Sequence, residues 1–115
     1  INKDRDQSNL DMIFTGPVPP NPAEILASAT FKEFVEDLSK EYDYVFIDTP
    51  PAGLFTDASL VSTISDGVIF VIKSSDTKRE DISLALENLK KVDAHILGAV
   101  LTHMPMKDKK YGNYY

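Results

Sequence analysis

Short apolar runs alternate along this chain with stretches in which apolar residues recur every three or four positions. The runs at 44–47, 68–72 and 96–101 lack the polar alternation of a half-exposed strand, so they predict strands that are covered on both faces. Helical spacing over 31–42 and 82–92 predicts amphipathic helices between them. This order predicts an α/β domain with a mostly parallel sheet flanked by helices.

Turn and capping residues predict the remaining boundaries. A further short strand is expected over 10–16, and the Pro-rich stretch that follows it excludes helix and central strand. Three capping boxes predict helix starts at 21–24, 30–33 and 77–80. The first of these has Asn as the N-cap and Pro at the first helical position.

Composition narrows the class of protein. The chain has 115 residues, 43% of them hydrophobic, which suits a single domain with a core. Its net charge of −6 argues against a general nucleic-acid binder and against unaided adsorption to anionic lipid. Because cysteine is absent, disulfides, thiolate metal sites and cysteine nucleophiles are excluded.

Asp48 is the first candidate functional residue. It follows the apolar run 44–47, and Pro50 and Pro51 end regular structure soon after it. Ligands of open α/β sheets bind at the carboxyl edge of the strands, where a carboxylate can organise Mg²⁺ beside nucleotide phosphates or act as a base. The alternative is an Asp that only satisfies backbone N–H groups at a turn. A phosphoacceptor role is disfavoured, because prolines rather than acids follow the first strand.

Four other polar residues favour structural roles. Asp57 or Thr56 is expected to cap a short helix, with a position near a metal as the alternative for Asp57. His95 and His103 flank the last strand, and two widely spaced histidines do not make a metal site.

The chain carries no phosphate-binding loop. Neither Gly-x-x-x-x-Gly-Lys-Ser/Thr nor Gly-x-Gly-x-x-Gly is present, and none of the five glycines forms a phosphate cradle. A strand-end carboxylate without such a loop is half of a nucleotide site.

Three tyrosines, Tyr111, Tyr114 and Tyr115, lie within the last five residues. No apolar neighbours could bury them, so this segment is expected to be disordered. It is either a phosphorylation target or a tolerated terminus.

Several of these segments resemble the bacterial tyrosine kinases of capsular and exopolysaccharide systems. The Pro-rich stretch 16–26 and the Asp-Thr-Pro-Pro core of 44–51 match motifs of that family, and 98–101 resembles its last strand. The terminal tyrosine cluster is a further hallmark. The resemblance implies that 1–103 is the C-terminal portion of a P-loop domain of the deviant Walker type, and that 104–115 is a flexible tyrosine-rich tail.

The resemblance also implies an activity. Such an enzyme uses ATP and Mg²⁺, phosphorylates its own tyrosines in trans within a ring-shaped oligomer, and thereby regulates polysaccharide synthesis and export. A transmembrane chain-length regulator activates it, a cognate tyrosine phosphatase opposes it, and it works in the cytoplasm at the inner face of the plasma membrane. No nucleic acid is implied.

Site residues follow from the same resemblance. Asp48 would be the Walker B aspartate that supports Mg²⁺ and catalysis. Thr102 would lie near the nucleotide base, where the family usually has Asn. Tyr111, Tyr114 and Tyr115 would be phosphoacceptors.

In this family the Walker A loop and a second acidic motif precede the Pro-rich stretch, and this sequence contains neither. The chain is therefore expected to be inactive alone. A related deviant Walker ATPase and a non-catalytic interaction or phosphoacceptor module are the alternatives. A half-sheet would also expose a buried parallel edge, which predicts association.

Overall fold

A computed structural model describes residues 2–3 and 9–104, with helices flanking parallel strands. The fold class predicted from the sequence is confirmed. In chain order the elements are β1 (Asn2–Lys3), β2 (Asp11–Met12), α1 (Pro22–Leu26), α2 (Ala29–Glu41), α3 (Asp57–Ser62), β3 (Val68–Lys73), α4 (Arg79–Lys91) and β4 (Ile96–Thr102).

Strands β3 and β4 form a parallel pair joined by α4. Their register shifts after Val68, so that Leu97 is an extra residue on β4. The side chain of Leu97 fills the space beside Gly67, where an added Cβ would lie 2.5 Å from Leu97 Cγ. Gly67 therefore permits the close approach of the two strands at the irregularity.

The buried core of the described residues lies between α3 and α4, which contact each other. Val61 of α3 and Ala85 of α4 are buried, and Leu89 of α4 is fully buried. Ser62 is also buried, and its hydroxyl donates to the Ser59 carbonyl at 2.7 Å. These apolar positions on α3 and α4 are the most deeply buried of the described residues, and their burial stabilises the fold.

The expectation that the strands are covered on both faces is wrong for this chain. Along β3, Val68, Phe70 and Ile72 are half-buried, whereas Ile69 is exposed and Val71 is 62% exposed. The burial alternates because only one face of the pair is covered by this chain. The apolar composition of the second face fits a sheet covered on both sides.

The strand expected at 44–48 is not paired with another strand in the described part of the chain. The burial of its side chains nevertheless changes from one residue to the next. Tyr44 and Phe46 are both about 80% exposed, and their rings stack with centroids 6.3 Å apart, whereas Ile47 is half-buried. Side chains two positions apart share a face in a strand. The segment thus has the side-chain order of a strand but lacks a partner.

Two of the three capping boxes were wrong in detail. Helix α2 begins after Ser28, whose hydroxyl accepts from the Phe31 N–H at 3.2 Å, so Thr30 is inside the helix. Helix α4 begins after Lys78, one residue later than expected.

The starts of α1 and α3 agree with expectation. Asn21 precedes Pro22 at the start of α1, and Glu24 accepts from the Asn21 side chain at 2.6 Å, although the Asn21 side chain makes no cap bond to a backbone N–H. Thr56 precedes Asp57 at the start of α3, although neither makes a side-chain cap bond. The strand expected over 10–16 is limited to β2, which pairs antiparallel with β1.

Within the described residues, the helices are too short or too polar to cross a bilayer.

Candidate functional site

The carboxyl ends of β3 and β4 bring polar residues together at one edge of the sheet. Lys73 and Thr102 are the last residues of the two strands and are register partners. The Ser74 N–H donates to the Thr102 carbonyl at 3.0 Å, which continues the ladder beyond β3. Backbone hydrogen bonds therefore hold together the edge at which open α/β sheets bind ligands.

Thr102 uses its hydroxyl within the sheet. The Thr102 hydroxyl donates to the Ile72 carbonyl at 3.5 Å. His103 Nδ1 lies 3.2 Å from the Thr102 hydroxyl oxygen. His103 has a φ of 54°, a left-handed conformation that non-glycine residues rarely adopt, so the chain turns sharply after β4. Thr102 is half-buried, and its hydroxyl oxygen retains acceptor capacity for a ligand.

An ion pair lies in the turn after β3. Lys73 Nζ bonds to a carboxylate oxygen of Asp76. The hydrogen bond from Lys73 is the main cause that lowers the pKa of the Asp76 carboxyl; Ser75 adds a further hydrogen bond, and His103 contributes charge. Sequence reasoning missed this pair, although a lysine at the end of an apolar run followed by Ser-Ser-Asp was a readable signal of a polar strand end.

Asp48 lies at the end of the unpaired segment 44–48, and its side chain is exposed. A turn follows it, in which Leu54 and Phe55 both donate their N–H to the Pro51 carbonyl, at 3.0 and 3.2 Å. Within residues 9–104, no ion pair engages the Asp48 carboxylate. The double proline thus ends the segment as the sequence predicted, and leaves an accessible carboxylate before the turn.

The structure does not join Asp48 to Thr102 by a hydrogen bond. Residues 9–104 also contain no group of three His, Asp or Glu side chains that could enclose a metal ion. One accessible carboxylate suits Mg²⁺, which keeps most of its waters and takes one or two protein carboxylates together with substrate phosphates. The residues present fit that mode of binding and do not fit an all-protein metal cage.

Asp57 is the first residue of α3 and is half-buried. Its charge interacts favourably with the positive end of the helix dipole. Beside it, the turn at 53–56 and the end of α4 border a shallow cleft of about 250 Å³.

His95 contacts a backbone carbonyl, and His103 contacts the side chain of the residue before it. His95 Nδ1 lies 3.0 Å from the Asp66 carbonyl and so positions the start of β4. His103 belongs to the polar edge described above. The described residues end at 104 and so do not include the tail from 105 onward. The phosphoacceptor roles of the tyrosines at 111, 114 and 115 therefore stay predictions.

Comparison with known proteins identifies the family. A model of the AAA domain family matches residues 21–101. Tyrosine-protein kinase YwqD of Bacillus subtilis is 36% identical over 110 residues, which are 95% of this chain and 46% of YwqD. The putative tyrosine-protein kinase CapB of Staphylococcus aureus is 36% identical over 114 residues, which are 98% of this chain and 50% of CapB.

Solved structures give the same result. The VpsO kinase domain aligns with a TM-score of 0.79 and 30% identity, over 89% of this chain and 50% of that one. The chimerical protein CapA2B2 aligns with a TM-score of 0.73 and 37% identity, over 78% of this chain and 40% of that one.

The match covers only part of each relative: this chain spans about half of the length of the curated kinases that it matches. AAA domains and kinases both use nucleotides, which agrees with the interpretation of the Asp-Thr-Pro-Pro motif. The chain belongs to the AAA domain family and is a relative of the bacterial tyrosine-protein kinases.

Proposed function

We propose that this chain is part of an ATP-dependent protein-tyrosine kinase that phosphorylates itself and regulates capsular or exopolysaccharide synthesis and export. The observation that carries the proposal is the alignment of almost the whole chain with proteins named tyrosine-protein kinases. The same alignment covers about half of each relative, so the proposed activity belongs to the longer protein.

In this proposal Asp48 supports Mg²⁺. Its exposed carboxylate stands before the Pro51 turn, without an ion-pair partner among residues 9–104. Bound Mg²⁺ neutralises charge on the phosphates of ATP and orients the group that is transferred. The phosphate cradle comes from outside this chain, since no glycine loop of the required spacing is present.

Thr102 lies near the nucleotide base in the same proposal. Its hydroxyl oxygen can accept a hydrogen bond from a base amino group while its proton is directed to the Ile72 carbonyl. Asn, with an amide that both donates and accepts, would form more contacts at this position. The acceptors of the transferred phosphoryl group are Tyr111, Tyr114 and Tyr115.

The cellular setting is part of the proposal. The protein works at the inner face of the plasma membrane, held there by a transmembrane chain-length regulator or by a further part of its own polypeptide. It assembles into a ring in which one copy phosphorylates the next, and a cognate tyrosine phosphatase reverses the reaction. The similar structure CapA2B2 is a chimerical protein, which supports a partner for this family.

A phosphopeptide map of the protein that carries this sequence in its native host tests the proposal. We expect phosphate on the three tail tyrosines in the wild-type protein, and its loss in an Asp48→Asn variant. Asp37→Asn is the matched control, because the Asp37 carboxylate is exposed on α2, pairs with Lys40 and belongs to no candidate site, so the variant is expected to retain the modification. An unmodified tail, or equal phosphorylation of both variants, would refute the proposal.

The absence of a phosphate loop in this sequence favours one second candidate, a non-catalytic phosphoacceptor module. In that case the tail is phosphorylated by another kinase, and modification persists in the Asp48→Asn variant.

A further inference from the structure

His103 has an uncommon backbone conformation directly after β4. Its φ of 54° lies in the left-handed region, which costs free energy for a residue with a Cβ, although His tolerates it better than most residues do. Such a conformation persists where surrounding contacts hold it, and it is frequent at functional sites. Here the turn keeps the exposed His103 ring at the carboxyl edge of the sheet, in contact with Thr102.

The Thr102 hydroxyl determines which nitrogen of His103 carries the proton. The hydroxyl proton is directed to the Ile72 carbonyl, so the oxygen accepts from His103 Nδ1–H across the 3.2 Å contact. A neutral imidazole with its proton on Nδ1 has a lone pair on Nε2. These hydrogen bonds thus assign two acceptors to the edge: His103 Nε2 and the remaining lone pair of the Thr102 oxygen.

The lysine at this edge is already paired. Lys73 is the register partner of Thr102, and its ammonium bonds to the Asp76 carboxylate. His103 faces the same carboxylate closely enough for its charge to contribute to the lowered pKa of Asp76. An acid therefore holds the lysine that could otherwise donate to a ligand carbonyl, while the two acceptors stay available.

We propose that His103, together with Thr102, makes the site prefer a nucleotide base with an exocyclic amino group, such as adenine, over a base with an oxygen in that place, such as hypoxanthine. The two hydrogens of the amino group match the two acceptors, His103 Nε2 and the Thr102 oxygen, whereas an oxygen would meet them with its own lone pairs. The inference rests on the proposed function, in which the base of ATP lies near Thr102.

Nucleotide binding to the longer protein that carries this sequence tests the inference. Isothermal titration calorimetry with Mg²⁺ compares ATP, inosine triphosphate, which has an oxygen in place of the amino group, and inorganic tripolyphosphate, which has no base. We expect the wild type to bind ATP about threefold to tenfold more tightly than inosine triphosphate, as one net hydrogen bond would give. His103→Phe keeps a ring and loses both nitrogens, so it should bind the two nucleotides about equally and tripolyphosphate as tightly as the wild type.

His95→Phe is the matched control. His95 is the other histidine of the chain, is also exposed, and precedes β4 at the opposite edge of the sheet, where its ring contacts the Asp66 carbonyl. It should retain the wild-type preference for ATP. Thermal unfolding of both variants shows whether each retains the fold, and His103→Ala, with the same expectation, serves if the phenylalanine destabilises the protein.

Three results would overturn the inference. They are a wild type that binds ATP and inosine triphosphate equally, a folded His103→Phe variant that keeps the preference for ATP, and a His103→Phe variant whose binding of tripolyphosphate falls as far as its binding of ATP. Binding is measured without phosphoryl transfer, so a protein that prefers ATP through His103 yet leaves its tyrosines unmodified would refute the kinase proposal alone. A protein that binds none of the three probes would refute both.

Discussion

At the scale of single residues, one hydrogen bond joins distant parts of the chain. The Tyr42 hydroxyl, at the end of α2, donates to the Asp11 carboxylate of β2 at 2.6 Å. This bond raises the pKa of the Tyr42 phenol, because the phenol must lose the donated proton to ionise; burial and the charge of Asp11 act in the same direction. The bond therefore joins β2 to the end of α2, from which the chain continues to Asp48.

The raised pKa of Tyr42 predicts a pH dependence. The bond stabilises the fold at pH values below the ordinary tyrosine pKa of about 10, and this stabilisation is lost as the pH rises through the higher folded value. We expect Tyr42→Phe to be less stable than the wild type at pH 7, with a difference that shrinks in alkaline solution. Urea unfolding at pH 7 and in alkaline solution measures this difference in the free energy of unfolding.

Tyr44→Phe is the control for that experiment, because Tyr44 is 81% exposed. Removal of the Tyr44 hydroxyl should leave the free energy of unfolding with the same pH dependence as in the wild type. Equal pH profiles for Tyr42→Phe and the wild type would contradict the stabilising role of the bond to Asp11.

At the scale of elements, the sequence predicted which segments are helical better than where each helix begins. The Thr30-x-x-Glu33 pattern matches a capping box, but Ser28 satisfies the Phe31 N–H in the structure. Both residues carry a hydroxyl, and the sequence alone does not reveal which backbone N–H groups are exposed at the first turn. Segment 44–48 shows a second limit: its apolar pattern predicts burial, whereas pairing requires a partner strand that the described residues do not supply.

Ser28→Ala is predicted to destabilise α2. Loss of the bond from the Phe31 N–H should cost about 1 kcal/mol in the free energy of unfolding, which is typical for an N-cap. Thr30→Ala is the matched control and should cost little, since Thr30 lies inside the helix and Ala is a better helix former. Chemical denaturation compares the two, and a larger loss for Thr30→Ala would show that the cap is misassigned.

Within the candidate site, the sequence pattern predicted Asp48 and the family resemblance predicted Thr102, and both roles stay predictions; sequence reasoning missed the Lys73–Asp76 pair. Asp48 was detectable because an apolar run and a double proline bracket it. The ion pair depends on a turn that brings a strand-end lysine back to an acid three residues later. The Lys-Ser-Ser-Asp run marks a polar strand end in the sequence, but it does not by itself predict that the two side chains pair.

At the scale of the whole molecule, stability depends on a small core. Among residues 9–104, Leu89 is the fully buried large side chain, and it belongs to α4, which packs against α3. The sheet contributes less than its composition suggests, because one face of β3 is exposed.

Leu89→Ala should destabilise the protein by about 2–5 kcal/mol, as expected for a leucine whose removal leaves a cavity. Leu84→Ala, on the same helix but 46% exposed, should cost much less. Thermal or urea unfolding measures both changes. Similar losses for the two variants would mean that the α3–α4 contact is not the core.

The unit formed by β3, α4 and β4 also has a consequence for the order of folding. It makes its contacts within a short stretch of chain, residues 68–102, so the loop-closure entropy to be overcome is small. Such a unit can form early and serve as a template for the rest of the domain. During synthesis, segment 44–48 leaves the ribosome before β3 does, so its apolar side chains stay exposed until that template exists, which makes the segment a favourable target for a chaperone that binds extended apolar segments.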